Sequence, residues 1–132
     1  MARIVKSGLI QICIPKSEGD GTIEEIKEAI VQKHIPLIED AGRLGVQILC
    51  LQEIFNTPYF CPGQDVKWYE SAETIPGPTI ERMQEYAKKY QMVMVIPIFE
   101  KEQAGMLYNT AAVIDADGKY MGKYRKTHIP HT

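Results

Sequence analysis

The chain has 132 residues, a formal charge of −2 and a hydrophobic content of 45%. This length suits one compact unit, and the composition is that of a globular rather than a disordered protein. The charge balance gives no basic patch, so we expect no nucleic-acid partner, and no apolar run is long enough to span a bilayer. Residues 1–7 lead directly into a strand-like segment and show no signal-peptide core.

The three cysteines are Cys13, Cys50 and Cys61. Their odd number and the absence of a CxxC pair argue against a disulfide framework or a four-thiol zinc site. Because Cys13 and Cys50 fall in apolar strand-like runs, we expect buried and unreactive thiols there. These features favour a reducing, cytoplasmic setting.

The first part of the chain predicts two strands joined by a long helix. Residues 4–14 are rich in β-branched side chains, which indicates the first strand. After a polar loop, Thr22 and Glu25 form a capping box that begins a helix with an apolar stripe. Pro36 is expected to kink this helix or to restart it. Residues 46–51 then predict a fully buried second strand.

The second part predicts one further helix and three strands. The Pro-Gly-Pro turn at residues 76–78 begins the helix, and apolar runs indicate strands at 92–99, 107–114 and 119–125. The sequence Ala-Asp-Gly at 116–118 is typical of a tight turn, so the last two strands should be antiparallel. Helix-linked strands followed by hairpins predict an α/β fold with a mixed sheet flanked by helices.

One candidate for acid–base chemistry directly follows the second strand. Glu53 stands in the segment ILCLQEIF, at the carboxyl end of a strand, where ligands bind in open α/β sheets. Leu51, Ile54 and Phe55 should partly desolvate its carboxylate and raise the pKa toward the range of a general base. A solvated glutamate that ends a strand is the alternative from this position alone.

A second candidate lies at the end of the fifth strand, in the segment GKYRKTHIPH of residues 122–131. If the second and fifth strands run in the same direction, Lys126 and Glu53 can reach one pocket. A lysine ammonium there can stabilise an oxyanion. By itself, however, a basic strand end is equally typical of a solvated surface.

Three segments carry a family resemblance: LQEIF at 51–55, YNTA at 108–111 and GKYRKTHIP at 122–130. Together they resemble the nitrilase-like carbon–nitrogen hydrolase family over essentially the whole chain. The resemblance implies that residues 1–132 form a single partial domain, the N-terminal part of an α-β-β-α sandwich. It also implies an unpaired sheet edge and uncovered apolar surface, which favour association.

The family uses a Glu-Lys-Cys triad, which implies that Glu53 is the general base and Lys126 the oxyanion stabiliser. His128 and Tyr59 would border the substrate. Gln52, where most members have proline, is a feature of the branch that cleaves N-carbamoyl compounds. The resemblance therefore implies a small-molecule substrate such as N-carbamoyl-β-alanine or N-carbamoylputrescine, no metal or cofactor, and a homo-oligomer in the full-length form.

The family's nucleophilic cysteine lies on a strand-to-helix elbow beyond the lysine motif, and none of the three cysteines matches that elbow. Cys61 corresponds to a non-catalytic loop cysteine of the family. We therefore expect that this chain alone does not turn over carbamoyl substrates.

Three other interpretations remain open from the sequence. His128 and His131 with Glu53, and with Cys61 as a further ligand, could imitate a zinc site, although an extended segment does not align two such rings. The chain could instead be a truncated, non-catalytic binding or assembly module. The Gly-rich loop at residues 19–22 could belong to a nucleotide-binding domain, but it lacks both GxGxxG and a P-loop lysine.

Overall fold

The computed structural model describes residues 3–16, 19–63 and 65–129. Within these ranges there are five strands: β1 (Ser7–Ile10), β2 (Ile48–Leu51), β3 (Val93–Gln103), β4 (Met106–Ile114) and β5 (Tyr120–Arg125). They form one sheet in the order β1-β2-β3-β4-β5. The first three strands are parallel, whereas β4 is antiparallel to both β3 and β5. The predicted mixed sheet is confirmed, and β5 runs in the same direction as β2.

Two α-helices, α1 (Ile23–Arg43) and α2 (Pro78–Tyr90), and two short 3-10 helices, Cys61–Gly63 and Val66–Ser71, complete the described part of the chain. The 3-10 helices lie in the loop after β2 and were not predicted. Both α-helices pack on the same face of the sheet. Apolar residues of both helices share one core with the inward positions of the strands, including Leu49, Met94, Ile96, Ile98, Ala112 and Ile114.

The capping box predicted at the start of α1 is confirmed. The Glu25 N–H donates to Thr22 Oγ1 at 3.2 Å, and the Thr22 N–H donates to Glu25 Oε2 at 3.0 Å. The predicted restart at Pro36 is wrong, because α1 continues through this residue as one helix. Pro36 lies on the exposed side, while His34 and Ile38 on either side of it are fully buried. Packing of the buried stripe therefore outweighs the missing proline hydrogen bond.

Several strand boundaries differ from the prediction. β1 covers only four residues, and Cys13 lies beyond it with an exposed side chain, so the expected burial of this thiol is wrong. Cys50 is partly buried, which raises the pKa of its thiol. β3 continues past Phe99 to Gln103, because its pairing with β4 extends beyond the apolar residues. Backbone pairing needs no apolar side chain, so the hydrophobic pattern ends before the strand does.

The face of the sheet opposite the helices, which we call the open face, is apolar and largely uncovered in the described chain. Its residues follow from the strand register and alternation and are Leu9, Ile48, Cys50, Val93, Val95, Ala111, Val113 and Tyr124. Leu9 and Tyr124 are 86% and 65% exposed. The predicted uncovered apolar surface is therefore confirmed. Among the described residues, no helix is long and apolar enough to cross a membrane.

Candidate active site

Glu53 is held at the carboxyl end of β2 by its two neighbours on the C-terminal side. Ile54 has a φ of +48°, a left-handed conformation that costs a β-branched residue about 1–2 kcal/mol. Burial offsets this cost, because Ile54 and Phe55 are both almost fully covered. The Phe55 N–H donates to the Pro97 carbonyl at 3.0 Å, which fixes the turn to β3. The Glu53 side chain can therefore point outward while the chain around it is anchored.

Gln52, the residue before Glu53, also has a structural role. Its Oε1 accepts the N–H of Ile12 at 2.6 Å, just past the end of β1. This side chain therefore continues the contact between the first two chain segments where their backbone pairing has ended. A proline at this position would have no side-chain acceptor for that N–H.

Lys126 directly follows β5, and its backbone extends the pairing with β4. Its N–H donates to the Asn109 carbonyl at 2.8 Å. Its Nζ lies 2.7 Å from Glu53 Oε1. The convergence of these two head groups, expected if β2 and β5 run in the same direction, is therefore confirmed.

Asn109, part of the YNTA segment, has no role predicted from the sequence. Its Nδ2 donates to Glu53 Oε1 at 2.7 Å, so the amide and the Lys126 ammonium bind the same carboxylate oxygen. Asn109 lies on β4 opposite Phe99 of β3, so its side chain belongs to the open face. Strand alternation is enough to place the Asn109 side chain on the open face. It does not show that Glu53, which follows a different strand, is the residue that the side chain contacts.

The expected electrostatics of Glu53 are wrong in direction. The side chains of Glu53 and Lys126 are 48% and 39% exposed, so the site as described is not dry. The hydrogen bond from Lys126 lowers the pKa of Glu53, partial burial opposes this, and the hydrogen bond from Asn109 lowers it further. The same contact raises the pKa of Lys126. The pair is therefore ionised at neutral pH, as a carboxylate and an ammonium.

Tyr59 and Cys61 lie near this pair, whereas His128 is exposed. The Cys61 thiol, which also shares a hydrogen bond with the Tyr59 hydroxyl, raises the pKa of Tyr59, and the Glu53 carboxylate adds to this effect. Lys126 interacts electrostatically with both loop residues. No hydrogen bond or ion pair to His128 occurs among the described residues. His131 lies outside the described residues.

A buried ion network lies on the opposite face of the sheet, directly behind Lys126. The Glu100 carboxylate accepts hydrogen bonds from Lys123, from Thr110 at 2.6 Å, and from Arg125 Nη2 at 2.7 Å. Arg125 also stacks on the Tyr108 ring, with its guanidinium carbon 3.8 Å from the ring centre. Burial alone would raise the pKa of Glu100, but these hydrogen bonds outweigh it and lower the pKa to about 2. The network therefore anchors the end of β5 next to Lys126.

A charged groove of about 350 Å³ lies between α1, α2 and the second 3-10 helix. Two ion pairs lie in its lining: Lys27 Nζ lies 2.7 Å from Glu73 Oε1, and Arg82 Nη1 lies 2.9 Å from Glu28 Oε2. Both cations of the lining are therefore bound to carboxylates of the chain itself. The acid–ammonium pair on the other side of the sheet is the better candidate site.

The contact between Glu53 and Lys126 brings a proton acceptor next to a cation. An ionised carboxylate can accept a proton, and an adjacent ammonium can stabilise negative charge that develops on a substrate oxygen. The family profile of carbon–nitrogen hydrolases matches residues 8–132. This chain belongs to the carbon–nitrogen hydrolase family.

Two curated proteins align with most of this chain. A β-ureidopropionase of Arabidopsis thaliana is 40% identical over 132 residues, covering 97% of this chain and 32% of its own length. An N-carbamoylputrescine amidase of Solanum lycopersicum is 43% identical over 95 residues, covering 71% of this chain and 31% of its own length. The chain thus spans about a third of the curated relatives that it matches.

Two solved structures share the fold of this chain. The crystal structure of a carbon–nitrogen hydrolase from Helicobacter pylori G27 superposes with a TM-score of 0.82 and 26% identity. The match covers 96% of this chain and 40% of that chain. An N-terminal amidase structure superposes with a TM-score of 0.71 at 21% identity, a likeness of fold alone. The mixed sheet flanked by helices is therefore a nitrilase-superfamily fold.

Proposed function

We propose that this chain supplies the general base and the oxyanion-stabilising cation of an enzyme that hydrolyses a C–N bond in an N-carbamoyl compound. The 2.7 Å contact between the Lys126 ammonium and the Glu53 carboxylate carries the proposal. The names of the two curated relatives support the substrate class, because a ureido group is an N-carbamoyl amine. The alternative is a non-enzymatic binding module, and such a module does not need a paired Glu53 and Lys126.

In the first half-reaction, Glu53 accepts the proton of a cysteine thiol, and the thiolate attacks the carbamoyl carbon. The carbonyl oxygen becomes an oxyanion, which Lys126 stabilises. The C–N bond to the terminal amine then breaks, and the leaving nitrogen takes the proton from Glu53 and departs as ammonia. Covalent attachment divides one difficult hydrolysis into two easier steps.

In the second half-reaction, Glu53 takes a proton from water, and the resulting hydroxide attacks the thioester carbon. Lys126 again stabilises the oxyanion, and the thiolate leaves with the proton held by Glu53. The released carbamic acid breaks down to an amine and carbon dioxide. In each half-reaction Glu53 first accepts a proton and then donates it. A carboxylate that is ionised before the reaction begins can perform both steps.

We propose that the nucleophile of this scheme is a cysteine outside residues 1–132, because the chain spans only about a third of its curated relatives. Tyr59 lies near the acid–ammonium pair, where its hydroxyl can contact the substrate. We also propose a substrate contact for His128, the second residue after Lys126, and a homo-oligomeric full-length protein. Among candidate substrates, N-carbamoyl-β-alanine is preferred, with N-carbamoylputrescine as the alternative.

The test is a chimera that joins residues 1–132 of this chain to the remaining C-terminal part of the Arabidopsis β-ureidopropionase. We expect ammonia release from N-carbamoyl-β-alanine, and a comparison with N-carbamoylputrescine measures the substrate preference. A correctly folded chimera that hydrolyses neither compound would contradict the proposed function.

The same assay is applied to the 132-residue chain alone, which is expected to release no ammonia. Cys61 is the cysteine nearest to the pair in the described loop, so Cys61→Ser is the matched variant. Steady ammonia release by the chain, lost on Cys61→Ser, would assign the nucleophile to Cys61 and overturn the proposed division of the site.

A further inference from the structure

Asn109 makes two contacts that no other described residue combines: its side chain bonds the Glu53 carboxylate, and its backbone carbonyl accepts the Lys126 N–H. We propose that Asn109 is a positioning residue that holds Glu53 in one orientation and leaves a single carboxylate oxygen for proton transfer. The catalytic meaning of this inference rests on the proposed function, whereas the contact itself does not.

The two oxygens of Glu53 have different surroundings. Oε1 accepts hydrogen bonds from Asn109 Nδ2 and from Lys126 Nζ, each at 2.7 Å. Among the described residues, no hydrogen bond reaches Oε2. A carboxylate oxygen that already accepts two short, charge-assisted bonds is a poor acceptor for a further proton. Oε2 is therefore the oxygen that remains for a thiol or a water.

The Lys126 bond alone does not fix this orientation. The lysine ammonium sits on a flexible four-carbon stem and can follow either carboxylate oxygen as the carboxylate rotates. Asn109, by contrast, has a short side chain on β4, and its backbone is paired with β3 on one side and with Lys126 on the other. Its amide therefore offers a donor at a fixed place, which selects Oε1.

The Asn109 amide also stabilises the ionised form of Glu53. Its hydrogen bond is one of the causes that lower the pKa of this carboxylate. Loss of the amide donor should raise the pKa, and a carboxylate at position 109 should raise it more, because a second negative charge adds repulsion.

The experiment is an NMR titration of the 132-residue chain, following the side-chain carboxyl carbon of Glu53 and the side-chain amide of Asn109. In the unsubstituted protein, the Asn109 amide signals should shift with the same midpoint as the Glu53 carboxyl. That shared titration should disappear on Glu53→Gln. An Asn109 amide that does not respond while Glu53 titrates would overturn the proposal without any substitution at position 109.

The variants Asn109→Leu and Asn109→Asp then test the direction of the effect. We expect the Glu53 midpoint to rise in Asn109→Leu and to rise further in Asn109→Asp. Tyr108→Phe is the matched control on the same strand, because its ring lies on Arg125 on the opposite face of the sheet. An unchanged Glu53 midpoint in both Asn109 variants would also overturn the proposal.

Hydrogen exchange of the Lys126 amide shows whether each variant keeps the strand pairing, since its acceptor is the backbone carbonyl of residue 109. Protection should remain in Asn109→Leu and Asn109→Asp. The NMR readout needs no substrate, so it decides the role of Asn109 independently of hydrolysis. Failure of the chimera to hydrolyse carbamoyl compounds would contradict the proposed function. It would not affect the NMR test of the hydrogen bond between Asn109 and Glu53.

Discussion

Arg125 and Lys126 are adjacent in the chain, yet they bind carboxylates on opposite faces of the sheet. Arg125 binds the buried Glu100 behind the sheet, with Nη2 2.7 Å from Oε1, and Lys126 binds Glu53 on the open face at the same distance. Strand alternation produces this division. The buried ion network therefore fixes the end of the strand from which the proposed catalytic lysine extends.

The Glu100 network predicts a loss of stability in acid. The folded-state pKa of Glu100 is about 2, below its ordinary value of 4.5. A depressed folded-state pKa gives a stabilisation that is present above the unfolded-state pKa and is lost as the pH falls toward 2. At about 1.4 kcal/mol per pKa unit, the full contribution is about 3 kcal/mol.

Glu100→Gln should therefore lower the free energy of unfolding at pH 7 by about 2–3 kcal/mol, since it leaves Lys123 and Arg125 without their shared carboxylate. The difference from the unsubstituted protein should narrow as the pH falls from 5 to 2, as measured by urea unfolding. Glu102→Gln removes an exposed carboxylate from the same Arg125 and should change stability less. Parallel pH profiles for Glu100→Gln and the unsubstituted protein would contradict this assignment.

Gly42 allows α1 and α2 to approach closely. A Cβ at this position would lie 2.2 Å from the Tyr90 ring. Alanine normally stabilises a helix relative to glycine by about 1 kcal/mol, so the clash determines the sign of the effect. Gly42→Ala should destabilise the protein by about 1–3 kcal/mol in thermal or urea unfolding.

Introducing Gly42→Ala into a Tyr90→Ala protein tests whether the clash with the Tyr90 ring causes the loss of stability. Removing the ring should make Gly42→Ala less destabilising, although the Tyr90 Cβ remains at 2.8 Å. A double-mutant cycle with no coupling between the two positions would show that the ring is not the cause.

The sequence alone predicted the mixed sheet, and it predicted that Glu53 and Lys126 meet if the second and fifth strands run in the same direction. It could not predict the lowered pKa of Glu53, since desolvation was assumed from chain neighbours while the decisive partner lies across the sheet. Asn109 was missed for the same reason: periodicity assigns a residue to a face but not to a lateral neighbour. At Pro36, local propensity predicted a kink or a restart of the helix, and packing of the buried stripe prevents the restart.

The open face predicts association of the 132-residue chain. Leu9 and Tyr124 present exposed apolar surface on this face, and an uncovered sheet favours contact between copies. Leu9→Glu and Tyr124→Glu should shift the sedimentation profile toward the monomer. Val66→Glu is the matched control, because Val66 is 68% exposed but lies in a 3-10 helix outside the sheet. Equal effects from Val66→Glu and the open-face variants would exclude a specific role of this face.

Glu53→Gln in the chimera with the Arabidopsis C-terminal part tests the central claim most directly, with ammonia release from saturating N-carbamoyl-β-alanine as the measurement. We predict a fall in kcat of about 100- to 10,000-fold, the range that a general base contributes. Glu81→Gln, an exposed substitution on α2, should leave the rate within about 2-fold, the scale of an ordinary surface change. Ammonia release by Glu53→Gln at the rate of the Glu81→Gln control would contradict the assignment of Glu53 as the base.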